Sequence, residues 1–198
     1  MALYLYCNRY EENQCGYALC NSQRNGDYNS WKWFDGLLLA ALTTLSSHQS
    51  LPQGMHLYSG LHKVHMTRES IDKLQSENAH FVTYMSTTPD LSVAKMFKGE
   101  QGMIIEFDES MVAHEEIIKA YVGWVFEYND EKEVLFARSC LHTKDKVTMH
   151  VGWNATIAHS KCDASTQWVR LTANLDMVSE ITQIHNSQIK QLMCDRVS

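Results

Sequence analysis

The sequence predicts an α+β fold, with helices gathered toward the N-terminus and short strands after them. Three observations predict it. Residues 30–46 place Trp31, Phe34, Leu38, Ala41, Leu42 and Leu45 at helical spacing, an apolar stripe of the kind that faces a core. From residue 57 onward the apolar runs shorten to strand length and are separated by turn residues. The 198 residues are 44% hydrophobic and carry only two prolines, Pro52 and Pro89, with no linker, repeat or low-complexity tract. Such a chain can bury a full core without disulfides or metal, and a single domain over 1–198 is expected.

The elements follow in order. A helix over 11–24 precedes the one over 30–46. Leu57–Leu61 is expected as a strand, and 67–76 as a helix with Ile71 and Leu74 facing inward. Phe81–Met85 alternates large apolar or aromatic residues with smaller ones and runs into Ser86, Thr87 and Thr88, which reads as a strand entering a turn. Pro89 suits the first turn of a helix, Asp90 favours its positive end, and Leu91, Ala94 and Phe97 share one face. Further strands are expected at Met103–Phe107, Tyr121–Phe126, Glu133–Ser139 and Val147–Val151. Leu171, Leu175, Val178, Ile181, Ile184 and Ile189 suggest one or two helices over 165–193.

Composition excludes several function classes. A formal net charge of −6 argues against nucleic acid as the principal partner, because phosphate binding draws on clustered Lys and Arg. The longest apolar stretch, Gly36 to Leu42, is far too short to cross a bilayer, and no basic segment followed by an apolar core opens the sequence. No membrane partner is expected, and the expected location is the cytosol, or a host cytosol for a delivered effector. The six cysteines show no Cys-x-x-Cys spacing and read as free thiols in a reducing compartment. His62-Lys63-Val64-His65 would put its imidazoles on opposite faces if extended, so neither a zinc site nor a cysteine protease is expected.

The most informative segment is Glu131-Lys132-Glu133-Val134-Leu135-Phe136. On a strand, Glu131 and Glu133 project together and Lys132, Val134 and Phe136 project the other way; on a helix the two acids would lie about 200° apart. Paired carboxylates suit sites where one stabilises developing positive charge and the other handles a proton. For the hexapeptide alone, a solvated strand edge accounts for the pair equally well.

Taken with the aromatic strand, Ser86-Thr87-Thr88 and Ala94-x-x-Phe97, this segment resembles the arginine-specific type of mono-ADP-ribosyltransferase, a family of vertebrate ecto-enzymes, bacterial toxins and effectors. Leu3-Tyr4-Leu5-Tyr6, Tyr17 to Asn21 and Trp31 to Leu45 resemble its helical lead-in. The likeness covers about 1–155 and leaves 156–198 unassigned as a C-terminal region that could cap the domain or hold the protein substrate. It implies two antiparallel sheets around an NAD cleft with N-terminal helices. It implies transfer of ADP-ribose from NAD to a protein side chain, arginine favoured and Ser or Thr possible, with release of nicotinamide and no metal. NAD and a protein substrate, including a host protein, are the implied partners.

The resemblance assigns Glu133 to the ribose and its developing cation, Glu131 to the acceptor, and Ser86 to positioning Glu133. Thr87 and Thr88 support the strand, and Tyr84 or Phe97 lines the nicotinamide pocket, although composition alone would place both aromatics in the core. The family's first motif is an aromatic residue, Arg and Gly; this sequence reads Tyr58-Ser59-Gly60. Serine thus stands where a guanidinium would grip the NAD phosphates. Arg24, favoured because it ends a lead-in helix, or Arg68 is a candidate substitute. The alternatives are a catalytically impaired relative that binds a partner, and an NAD glycohydrolase.

Overall fold

The computed structural model describes residues 1–7, 15–76, 81–115, 117–125, 131–138, 140–142, 148–150, 155–162 and 166–173. Three helices lead: α1 (Ala2–Cys7), α2 (Cys15–Arg24) and α3 (Lys32–His48). Then come β1 (Leu57–His62), α4 (Arg68–Ser76), β2 (Met85–Thr87), α5 (Leu91–Lys98), β3 (Gly102–Phe107), α6 (Glu109–Ala113), β4 (Lys119–Tyr121) and β5 (Val134–Phe136). The remaining strands are β6 (Cys140–His142), β7 (Thr148–His150), β8 (Ala155–Cys162) and β9 (Thr166–Ala173). One sheet runs β1-β3-β9-β8, a second β2-β5-β4, and β6 pairs with β7. Every ladder is antiparallel except β3 with β9, which is parallel.

Strand β5 shows how the layers are built. Val134 and Phe136 enter a core formed with the inner face of the four-stranded sheet, including Leu57, Ile105, Phe107, Val169 and Leu171. Leu135 and Ala137 point the other way, into a second core with Leu3, Leu19, Leu38, Leu42 and Tyr84. Period-two alternation on one short strand therefore joins sheet to sheet on one side and sheet to helices on the other. The Phe107 and Phe136 rings, 4.7 Å apart, pin the first of these contacts.

Helix α5 lies directly on β1 because Gly60 has no side chain. A Cβ there would fall 1.9 Å from the Ala94 carbonyl oxygen. Asp90 caps this helix, its carboxylate accepting from the Ser92 N–H at 2.8 Å, and Gly99, at φ 68°, ends it by donating to the carbonyls of Lys95 and Met96. The inward residues are Leu91, Ala94 and Lys98; Phe97 is not on that face but sits 36% exposed at the edge.

Several expectations are corrected. The strand expected over Phe81–Met85 is displaced to Met85–Thr87, opposite Val134–Phe136. The aromatic alternation upstream reflects Tyr84 packing against the helices rather than a ladder. Tyr121–Phe126 is not one strand: Val122 bonds the Glu133 carbonyl, then residues 123–125 form a 3₁₀ turn closed by Val125 N–H on Val122 O. Residue 126 lies outside the described residues. Residues 166–173, expected as helix, form β9, with Gln167, Val169 and Leu171 buried and Arg170 exposed. Residues 155–173 thus contribute two strands to the main sheet instead of an appendage. The helices expected beyond residue 173, the inward side chain of Leu74 and the ends of the Val147–Val151 strand fall outside the described residues. Helix α1 covers Leu3–Tyr6, the first part of the helical lead-in that the resemblance implied, whereas α6 was not expected; Asp108 caps α6 through Ser110 and Met111 N–H.

Candidate functional site

Antiparallel pairing of β2 with β5 sets Ser86 opposite Leu135 and Thr87 opposite Val134. Glu133 directly precedes β5, on the Leu135 side by alternation, so its carboxylate meets the Ser86 hydroxyl, which donates a short hydrogen bond to Oε1. The Thr87 hydroxyl donates to the Val134 carbonyl at 2.6 Å. The Thr88 hydroxyl accepts from the Asp90 N–H at 3.1 Å and its backbone exchanges two bonds with Tyr58, which ties β1 to this edge. Each hydroxyl of the Ser-Thr-Thr run therefore has its own structural task.

The two acids are not aligned by a strand. Glu131 has helical backbone, Lys132 takes a left-handed φ of 46°, and only then does the chain enter β5. The turn, not period-two alternation, brings both carboxylates to one place. Glu133 is buried at 8% exposure, whereas Glu131 is half-buried.

Both acids line a cleft of about 650 Å³, within the usual range for a small-molecule site. Ten of the eleven residues singled out from the sequence line it: Glu131, Glu133, Ser86, Thr87, Thr88 and Tyr84 on one wall, Ser59, Gly60 and Phe97 on the β1 and α5 side, and Arg24 at the end of α2. Arg68 is not among its lining. The buried Ser59 hydroxyl donates to the Met85 sulfur at 3.4 Å. The resemblance implied that the lead-in helices reach the cleft, through Arg24, but Tyr6 and Cys7 of α1 and Tyr17 and Cys20 of α2, which also line it, were not among the expected site residues. The signal was present in Gly16: a Cβ there would lie 2.3 Å from the Tyr6 carbonyl oxygen, so this glycine marks where α1 crosses α2.

Electrostatics differ along the cleft. Burial, with the neighbouring Cys20 and Glu133, pushes the Tyr6 phenol well above its ordinary range, so it stays a protonated donor. Burial also raises the Cys20 thiol, whose sulfur lies 3.5 Å from the Tyr6 oxygen, and makes it a poor nucleophile. Tyr84 is raised by burial and by the Asp35 carboxylate, to which its hydroxyl donates at 2.8 Å. Among the described residues, no three His, Cys, Asp or Glu side chains gather as for a metal ion, and no helix is long and apolar enough to cross a membrane.

No family model and no curated protein matches the chain. Solved structures do. Exoenzyme S from Pseudomonas aeruginosa, in complex with human 14-3-3 protein beta and bound to carba-NAD, is 17% identical, with a TM-score of 0.60 over 86% of this chain and 70% of that one. A mutant of the eukaryotic mono-ADP-ribosyltransferase ART2.2 in complex with NAD is 14% identical, with a TM-score of 0.56 over 87% of this chain and 64% of that one. The Clostridium limosum C3 exoenzyme is 12% identical, with a TM-score of 0.59 over 87% and 85%. The β2-β5 edge with its acid turn, the β1-α5 contact and the helical lead-in thus belong to a chain with the ADP-ribosyltransferase fold.

Proposed function

We propose that the protein is a mono-ADP-ribosyltransferase that moves ADP-ribose from NAD to a protein side chain, arginine before Ser or Thr. The observation that carries this reading is the buried Glu133 carboxylate, held by the Ser86 hydroxyl in a cleft it shares with Glu131 and Arg24. The residues present fit NAD: acids for the ribose, a guanidinium for phosphate, and flat side chains of Tyr84, Phe97 and Tyr6 for the nicotinamide.

The bond from ribose C1′ to the nicotinamide nitrogen breaks, and its electron pair leaves with the neutral nicotinamide. Positive charge develops on the ribose. Glu133 stabilises that charge and holds the 2′-hydroxyl, already oriented so that little reorganisation is needed. A nitrogen of the acceptor guanidinium then attacks C1′, and Glu131 accepts the proton released as the new bond forms. Arg24 binds the diphosphate in place of the guanidinium that Ser59 lacks.

Titration with NAD and an assay of nicotinamide release test the proposal. Activity that disappears in Glu133→Gln supports it; absence of NAD binding at millimolar concentration sinks it. That second result would favour a partner-binding relative, the reading that Ser59, neutral and turned onto Met85, recommends. Mass spectrometry of modified acceptors separates arginine from hydroxyl targets, and nicotinamide release without any modified protein would identify a glycohydrolase.

A further inference from the structure

One carboxylate behind the cleft joins three of the segments that build it. Asp35 of α3, 8% exposed, accepts from Gln23 Nε2 at 2.9 Å, from the Tyr84 hydroxyl at 2.8 Å, and from Arg138 Nε and Nη2 at 3.0 and 2.6 Å. Gln23 adjoins Arg24 at the end of α2. Tyr84 lines the cleft and leads into Ser86, and Arg138 lies just after β5, the strand that Glu133 directly precedes. We propose that Asp35 and its three donors form a positioning bracket that holds the Arg24 end of α2 in register with the strands carrying Ser86 and Glu133. This rests on the proposed reading of the cleft, with tighter NAD binding as the consequence.

Two features distinguish the bracket from general support of the fold. A buried ion pair adds little net stability over apolar residues of the same volume, so packing alone does not call for Asp35 and Arg138. Gln23, 2% exposed, also leaves its Oε1 without a hydrogen-bond partner among the described residues. A fold selected for stability alone would replace that amide with Met or Leu. What the amide retains is directional: its Nε2 fixes the last turn of α2 to Asp35, one residue from Arg24.

The test uses the full chain. Asp35→Leu/Arg138→Met removes the ion pair, and Gln23→Met, the milder change, keeps the volume and removes only the α2 arm. Amide hydrogen exchange is measured without ligand, alongside thermal midpoints and the KM and kcat of nicotinamide release. In Gln23→Met, exchange at residues 21–25 should rise about tenfold, with Ile104 and Val169 unchanged and the thermal midpoint near wild type. KM for NAD should rise about tenfold with kcat within about twofold. Unchanged exchange at 21–25, a uniform rise that includes the four-stranded sheet, or local loosening without a change in KM would each overturn the bracket. If the wild type neither binds NAD nor releases nicotinamide, the proposed function fails, and the exchange experiment still decides the bracket.

Discussion

The Ser86 hydroxyl donates to Glu133 across the β2-β5 ladder, so the orientation of the buried acid depends on an exposed serine. Ser86→Ala removes that donor without leaving a cavity. Nicotinamide release should fall about 10- to 100-fold, the scale of one lost positioning contact, while the thermal midpoint stays close to wild type. Glu133→Gln should bring release to background. Full activity in Ser86→Ala would show that the turn alone orients the acid.

In the proposed function, Arg24 rather than Ser59 holds the NAD phosphates. The Ser59 hydroxyl is directed to the Met85 sulfur, whereas Arg24 lines the cleft from the end of α2. A charge-assisted contact is worth about 1.5–3 kcal/mol, so Arg24→Ala should weaken NAD binding about 10- to 100-fold. Ser59→Ala should change it by less than about threefold. Calorimetric titration of both variants checks the pair of expectations, and the reverse ranking would reassign the phosphate contact to β1.

Gly60 sets the distance between α5 and β1. An added Cβ would lie 1.9 Å from the Ala94 carbonyl oxygen and 2.8 Å from the Lys98 nitrogen, both backbone atoms that yield only if the helix moves. Gly60→Ala should cost about 3 kcal/mol and lower the thermal midpoint by several degrees. Because Phe97 rides on the same helix, NAD affinity should fall with it, whereas Gly36→Ala, with open space around it, should do neither.

How much of this was legible in the sequence depends on distance along the chain. The strand, hydroxyl run and helix from 81 to 98 are local patterns, and reading them erred mainly by shifting β2 toward Phe81. Glu131 and Glu133 were paired for the wrong reason, since no rule of alternation anticipates a left-handed Lys132. The alternation of Gln167, Val169 and Leu171 was visible and marks a buried strand, but the apolar residues beyond it suggested a helix that absorbed them. Asp35 and Arg138 lie 103 residues apart, and nothing in either segment marks it as half of an ion pair. The α1-α2 crossing left a fainter trace, Gly16, which does not point to its partner because a single glycine in a helix has many uses.

Lys119 offers a stability prediction that does not involve the cleft. The residue is 8% exposed, and its ammonium donates to the carbonyls of His114 and Ile117 at 2.6 and 3.1 Å. Burial pushes its pKa down from 10.5 to about 8, and the charge of Glu115 offsets only part of that. Between those two values the unfolded chain keeps the proton that the folded chain has lost, so this group makes the fold more stable as pH rises. From pH 7 to 9.5 the gain should be about 2 kcal/mol, and it should be absent in Lys119→Met. Buried Cys20, Tyr84 and Tyr6, all raised by burial, act in the opposite direction as pH rises, but equally in both proteins, so the difference between them isolates the lysine. Urea midpoints of the two proteins across this range measure it: parallel curves would mean that the Lys119 ammonium is as well accommodated inside as in water.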